Sequence, residues 1–154
     1  MRNYFFFIIL LLVGCTSHAA YTAFCPTDAK HWAPSEPANI AVNMAGTPQK
    51  HTLYIGVRTT KAHRYDGTLL PLEITQKWEH LMGLRIDTLF INITDTAGHF
   101  TGSGVCHHDI LTPLCEIQHD DSLKGTISIR PCLSAPIHGI SHVGVEIRPS
   151  DSDF

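Results

Sequence analysis

The chain has 154 residues, 44% of them hydrophobic and 16% charged, with a formal net charge of −3 when its eleven histidines are neutral. That length suits one ordinary domain. The acidic balance, with no basic, aromatic-rich face, excludes nucleic acid and an anionic lipid surface as electrostatic targets.

In chain order, Arg2 is the only charge before Asp28, and an apolar run from Phe5 to Val13 follows it. A positive start and a short greasy stretch are the form of a secretory signal. Roughly ten apolar residues fall well short of the about 20 that span a bilayer, so cleavage is expected rather than a permanent span. "SHAA" places small residues for cleavage after Ala19 or Ala20. A second cut site competes with it. Leu12, Val13, Gly14 and Cys15 resemble the lipobox of bacterial lipoproteins, a resemblance confined to about the first fifteen residues. It implies that residues 1–14 are removed, that the Cys15 thiol carries a diacylglycerol and that the new amino group is acylated. Thr16, where such proteins carry Asp for inner-membrane retention, implies outer-membrane sorting, facing the periplasm or the cell surface.

Lipidation also settles an odd cysteine count. With Cys15 consumed, Cys25, Cys106, Cys115 and Cys132 remain as an even set for two disulfides in an oxidising compartment. The cut also removes Arg2, so ten basic residues face fourteen acidic ones and the mature net charge is −4. All eleven histidines lie beyond it; full protonation would carry the charge to +7, so surface binding is open to pH control.

Residues 15–39 hold Pro26, Pro34 and Pro37 among small residues and read as a lipid-anchored tether, ordered where Cys25 and Trp32 dock. From 40 to 148 the period is two. Leu53, Ile55 and Val57 alternate with Thr52, Tyr54 and Arg58; Leu89, Ile91 and Ile93 with Thr88, Phe90 and Asn92; Val143, Val145 and Ile147 with His142, Glu146 and Arg148. Ile127 and Ile129 continue the pattern, as do Leu70, Leu72 and Ile74, where Pro71 suggests an edge strand. Such alternation marks strands buried on one face. Several of them predict an all-β, two-layer antiparallel β-sandwich, immunoglobulin-like or transthyretin-like by architecture alone. Between strands, Thr75 as N-cap, Trp78, Leu81 and Met82 at i, i+3 and i+4, and Gly83 as a stop predict one short helix. Asp95 to Gly98 predicts a hairpin loop, and Gly102 and Gly104 weaken the strand after it. Residues 149–154 are expected to form a flexible tail.

Four cysteines allow three connectivities. The plan favours Cys106 with Cys115, closing the loop "HHDILTPL", and Cys25 with Cys132, each bridge contributing on the order of 2–4 kcal/mol. Near that loop, His107, His108 and Asp109 with His119 form the sharpest polar group, a ligand type that suits zinc or copper. Adjacent side chains of an extended segment point apart, however, and no established ligand spacing is present, so a solvated loop is expected and no metal or other cofactor. His138 and His142 lie four apart but in loop and strand, where they diverge.

No nucleophile elbow, phosphate loop or free-thiol dyad emerges, and the expectation is a protein that is not an enzyme. Asn92, Ile93 and Thr94 form a glycosylation sequon. The alternatives are thus a secreted or surface immunoglobulin-like glycoprotein, and a His/Asp metal-binding domain. The reading favoured is a lipid-anchored cell-envelope protein that binds a protein partner, as an accessory or structural part of a secretion or envelope assembly. Its membrane contact comes through the lipid.

Overall fold

The computed structural model describes residues 19–45, 49–60, 64–80, 83–104, 107–119 and 122–150. Within them the chain forms eight strands: β1 (Tyr21–Pro26), β2 (Ala38–Ala45), β3 (Gln49–Thr60), β4 (Leu69–Trp78), β5 (Arg85–Asn92), β6 (His107–His119), β7 (Ser122–Pro131) and β8 (Ile140–Pro149). They build two four-stranded sheets in the orders β1-β8-β3-β6 and β2-β7-β4-β5, antiparallel throughout. Apart from the β4–β5 hairpin, each strand lies in the opposite sheet from its predecessor. That interleaving is a jelly roll, an antiparallel ribbon wrapped around one core. It replaces the immunoglobulin-like or transthyretin-like arrangement expected from the sequence, since immunoglobulin sheets do not interleave the chain in this order.

Burial follows the alternation. Leu53, Ile55, Val57, Val143, Val145 and Ile147 of one sheet face Leu70, Leu72, Ile74, Ile91, Ile127 and Ile129 of the other, and all are fully buried. The β2 residues Ile40, Val42 and Met44 complete the second inner face. Trp32, 2% exposed, lies between β1 and β2; its backbone exchanges hydrogen bonds with Ile137 at 2.8 and 3.0 Å, and its Nε1 donates to the Glu36 carbonyl. The stretch read as a tether therefore contributes a strand and an anchoring tryptophan to the sandwich, and the domain begins well before residue 40.

Three further expectations are corrected. The helix at Thr75–Gly83 is absent among the described residues: β4 runs on to Trp78, with Ile74, Gln76 and Trp78 all turned inward. Period two wins there because Trp78 and a fully hydrogen-bonded Gln76 fill inward positions; Leu81 and Met82 lie outside the described residues. Pro71 is not on an edge, since β4 lies between β7 and β5. Its carbonyl accepts from Cys132 N, just past the end of β7, so its missing N–H falls where that ladder stops. Finally, "HHDILTPL" is strand rather than loop. Leu53 pairs with Cys115 but Tyr54 with Pro113, leaving Leu114 as a bulge that seats the proline.

The expected disulfides are not formed. Cys25, Cys115 and Cys132 are free thiols, while Cys106 and Cys15 lie outside the described residues. Cys25 sits on β1 opposite Val143, whereas Cys132 follows β7 in the other sheet and is exposed, so the topology separates that pair. Cys115 turns instead toward Gln76 of β4. The hairpin loop does form as expected. Asp95 Oδ1 accepts from the backbone of Ala97 and His99, and Gly98, at φ +83°, takes the left-handed position. Beyond it, among the described residues, isolated bridges, Thr94 to Phe100 and Ser103 to Asp109, stand where a strand was expected; residues 105 and 106 of that stretch lie outside them.

Candidate functional site

One flank of the sandwich is closed, where Tyr21 Oη on β1 donates 2.7 Å to the Ala41 carbonyl on β2. On the opposite flank the edge strands β5 and β6 meet only sparsely, and a cleft of about 370 Å³ opens between the layers. Its walls are Gln76 and Trp78 of β4, Leu84 and Arg85 at the start of β5, and Cys115 and Ile117 of β6.

The polar side of this cleft is built by alternation. Arg85 and Asp87 share the strand parity of Leu89 and Ile91, so the edge strand turns two charges toward the layer interior. Gln76 is 1% exposed, and its Nε2 donates 2.9 Å to Asp87 Oδ2 while its Oε1 accepts from Trp78 Nε1 at 3.2 Å. Arg85 completes the network with Nε 2.8 Å from the same carboxylate. This hydrogen bond raises the Arg85 pKa further above its ordinary value, fixing a positive charge at the cleft mouth. The Cys115 thiol lies 3.9 Å from Gln76, and burial pushes its pKa up against the opposing pull of Arg85.

An elevated thiol pKa is the reverse of what nucleophilic cysteine chemistry requires. Alkylation should therefore distinguish the free thiols: at pH 7.5, iodoacetamide labels exposed Cys132 first and Cys115 more slowly, because Cys115 is less accessible and its burial disfavours the reactive thiolate. Peptide mass mapping over time reads the order, and bridged Cys25, Cys115 and Cys132 would give no label at all.

The polar group singled out from the sequence is dispersed along β6. His107 is exposed, paired in register with Thr60. His108 turns to the other face and stacks on Phe100, ring centroids 4.5 Å apart. Asp109 is held by Arg58 on β3 through two contacts of 2.7 Å, which keep its carboxyl below the usual range. His119 ends the strand twelve residues from His107, roughly 35–40 Å at the rise of a strand. Among the described residues no three His, Cys, Asp or Glu side chains gather as a metal site. His138 pairs with Asp66 at 3.0 Å, whereas His142 lies beside Arg58 in register, its pKa lowered first by burial and then by that guanidinium. Asn92 of the sequon is exposed at the end of β5.

The sequence reading missed Gln76, Trp78, Arg85 and Asp87 as a group. The available signal was Arg85 and Asp87 at inward positions of the run that continues into Leu89 and Ile91; it was hidden by assigning Gln76 and Trp78 to a helix.

Comparison with known proteins adds a family. The GldH lipoprotein profile matches residues 19–147. No curated protein matches. Among solved structures, Eiger TNF from S. frugiperda superposes with TM-score 0.38 and 8% identity, over 86% of this chain and 88% of that one. Dimeric latent PorU from Porphyromonas gingivalis gives 0.25 and 9%, over 88% of this chain and 14% of that one. Scores of this size bear on neither fold nor activity.

Proposed function

The chain belongs to the GldH lipoprotein family, and from that premise we propose that it is a non-catalytic binding module, anchored to the outer membrane through lipid on Cys15 and serving an envelope or secretion assembly. The observation that carries the binding role is the cleft between β5 and β6. Its polar groups, buried Gln76 and half-buried Asp87, are occupied by one another and by Trp78 and Arg85, so they shape a surface rather than hold a proton or nucleophile ready. Exposed Leu84 beside Arg85 gives the mouth one apolar and one cationic contact, a pairing suited to a protein segment.

The anchor rests on Leu12, Val13, Gly14 and Cys15 and on family membership. Cys15 precedes Tyr21 by six residues, a reach of at most about 20 Å, which would hold the sandwich close to the bilayer. Cys15→Ser should abolish labelling by a fatty-acid probe and move the protein from the membrane to the soluble fraction. With about 0.8 kcal/mol per buried CH₂ over several acyl chains, spontaneous release of the wild type is negligible. Soluble wild-type protein beginning at Ala20 or Tyr21 would overturn the anchor.

A further inference from the structure

The strand connections are divided unevenly between the two ends of the sandwich. At one end lie β2–β3, β4–β5 and β6–β7, of three, six and two residues; at the other lie β1–β2, β3–β4, β5–β6 and β7–β8, of eleven, eight, fourteen and eight. Strand register places the start of the domain. Tyr21 is opposite Ile147, and Leu53 is opposite both Ile147 and Cys115, so the first residue of β1 lies level with the start of β3 and the close of β6 and β8. The chain therefore enters the sandwich at the end with the short turns.

An open apolar side chain stands at that same end. Leu84 closes the β4–β5 turn and is 63% exposed, the most open of the large apolar side chains among the described residues. Ile86, two residues on, is 62% exposed on the outer face of β5. With strands about 4.8 Å apart and layers about 10 Å apart, Leu84 lies roughly 20 Å across the end from Tyr21. Along β5 the rise of about 3.4 Å per residue puts Ile86 about 7 Å and Phe90 about 20 Å from Leu84.

We propose that this end of the sandwich rests on the bilayer, with Leu84 and Ile86 in the headgroup region beside the lipidated N-terminus and the four long connections facing away. An apolar surface lying on a membrane sinks about 5–10 Å into that region, a depth that takes in Leu84 and Ile86 and leaves Phe90 in water. The tether is what selects lipid as the occupant. Two side chains do not hold a free protein on a membrane, but the six residues from Cys15 to Tyr21 span about 12–15 Å on average and make the contact intramolecular, at high effective concentration.

The contact is apolar rather than electrostatic. Among the described residues near that end, exposed Lys50, Lys77 and Lys124 stand against exposed Glu79 and Glu116, while Arg85 is paired with Asp87 and Arg148 with Glu146. The inference rests on the anchor proposed above and adds which end of the domain the bilayer covers. Leu84 also borders the cleft between β5 and β6, so a segment entering that cleft would approach along the membrane surface.

Tryptophan fluorescence tests this, because native Trp32 and Trp78 are both buried. Leu84→Trp and, at the opposite end, Leu133→Trp, each replacing an exposed leucine, are purified as full-length lipidated protein from native membranes. They are reconstituted on phosphatidylcholine vesicles with and without acyl chains brominated close to the headgroup. Flotation with the vesicles reports the anchor, and bromolipid quenching reports the contact. Quenching about threefold stronger at Leu84→Trp than at Leu133→Trp is expected, and it should persist at about 0.5 M salt, where surface charge is screened. Equal quenching at the two positions, stronger quenching at Leu133→Trp, or quenching lost in salt, in protein that still floats, would overturn the inference and leave the anchor standing. Protein that does not float would overturn both.

Discussion

Trp32→Ala should cost about 3–5 kcal/mol, the range for removing a buried aromatic, and lower the melting temperature by on the order of 10–20 °C. Trp32 is 2% exposed, with a satisfied indole N–H, and its neighbours Asp28 to Pro37 contain no strand of their own. Its backbone bridge to Ile137 ties the segment between β1 and β2 to the segment between β7 and β8. Truncation thus removes apolar contact from the core cluster and loosens two connections at once. Trp32→Phe should recover about half of the loss, because it restores the ring but leaves the Glu36 carbonyl without its donor. Thermal unfolding of the three proteins provides the check; a shift for alanine of only a few degrees would mean that the segment does not contribute to the cooperative unit.

Gly144→Val should be comparably severe, at about 3 kcal/mol. Phe24, Gly144, Gly56 and Leu111 occupy one row across β1, β8, β3 and β6, and the Phe24 ring covers both glycines. A Cβ at Gly144 would stand 2.5 Å from that ring and 2.6 Å from the Ala23 carbonyl oxygen. The ring can rotate away; the carbonyl belongs to the paired strand, so β1 itself must move. At Gly56 the contacts are side chains alone, Phe24 at 2.7 Å and Leu111 at 3.2 Å. Phe24→Ala should therefore rescue most of the strain of Gly56→Ala but little of Gly144→Val. Calorimetry of the two double mutants separates the cases; full rescue at Gly144 would refute the backbone clash.

What the sequence disclosed was the inward set of the regular strands. Leu53 to Val57, Leu70 to Ile74 and Val143 to Ile147 alternate without interruption, and their burial is as expected. β6 escaped because the Leu114 bulge breaks its parity: Ile110 and Thr112 point inward, then Cys115 and Ile117, so no single period of two spans the strand. β4 was cut short because Trp78, Leu81 and Met82 also satisfy a helical spacing, and a glutamine at an inward position conceals the strand pattern. The polar network was illegible for the same reason, as burial of Gln76 is decided by Asp87 and Trp78 and not by its own polarity. The jelly-roll order is a matter of partners far apart in the chain, which local alternation does not encode.

That order has a consequence in time. Tyr21 pairs with Ile147, so the first strand finds its place only when the last one is present, across a separation of 126 residues. Closing so large a loop is entropically costly before any contact rewards it, and folds dominated by such pairings reach their native state slowly, in milliseconds to seconds. A chain delivered across a membrane N-terminus first would have its leading end fixed at the bilayer while β8 was still in transit. The sandwich would then close around a start point already immobilised, and a chain truncated before Ile140 would leave β1 and β3 without the strand that lies between them.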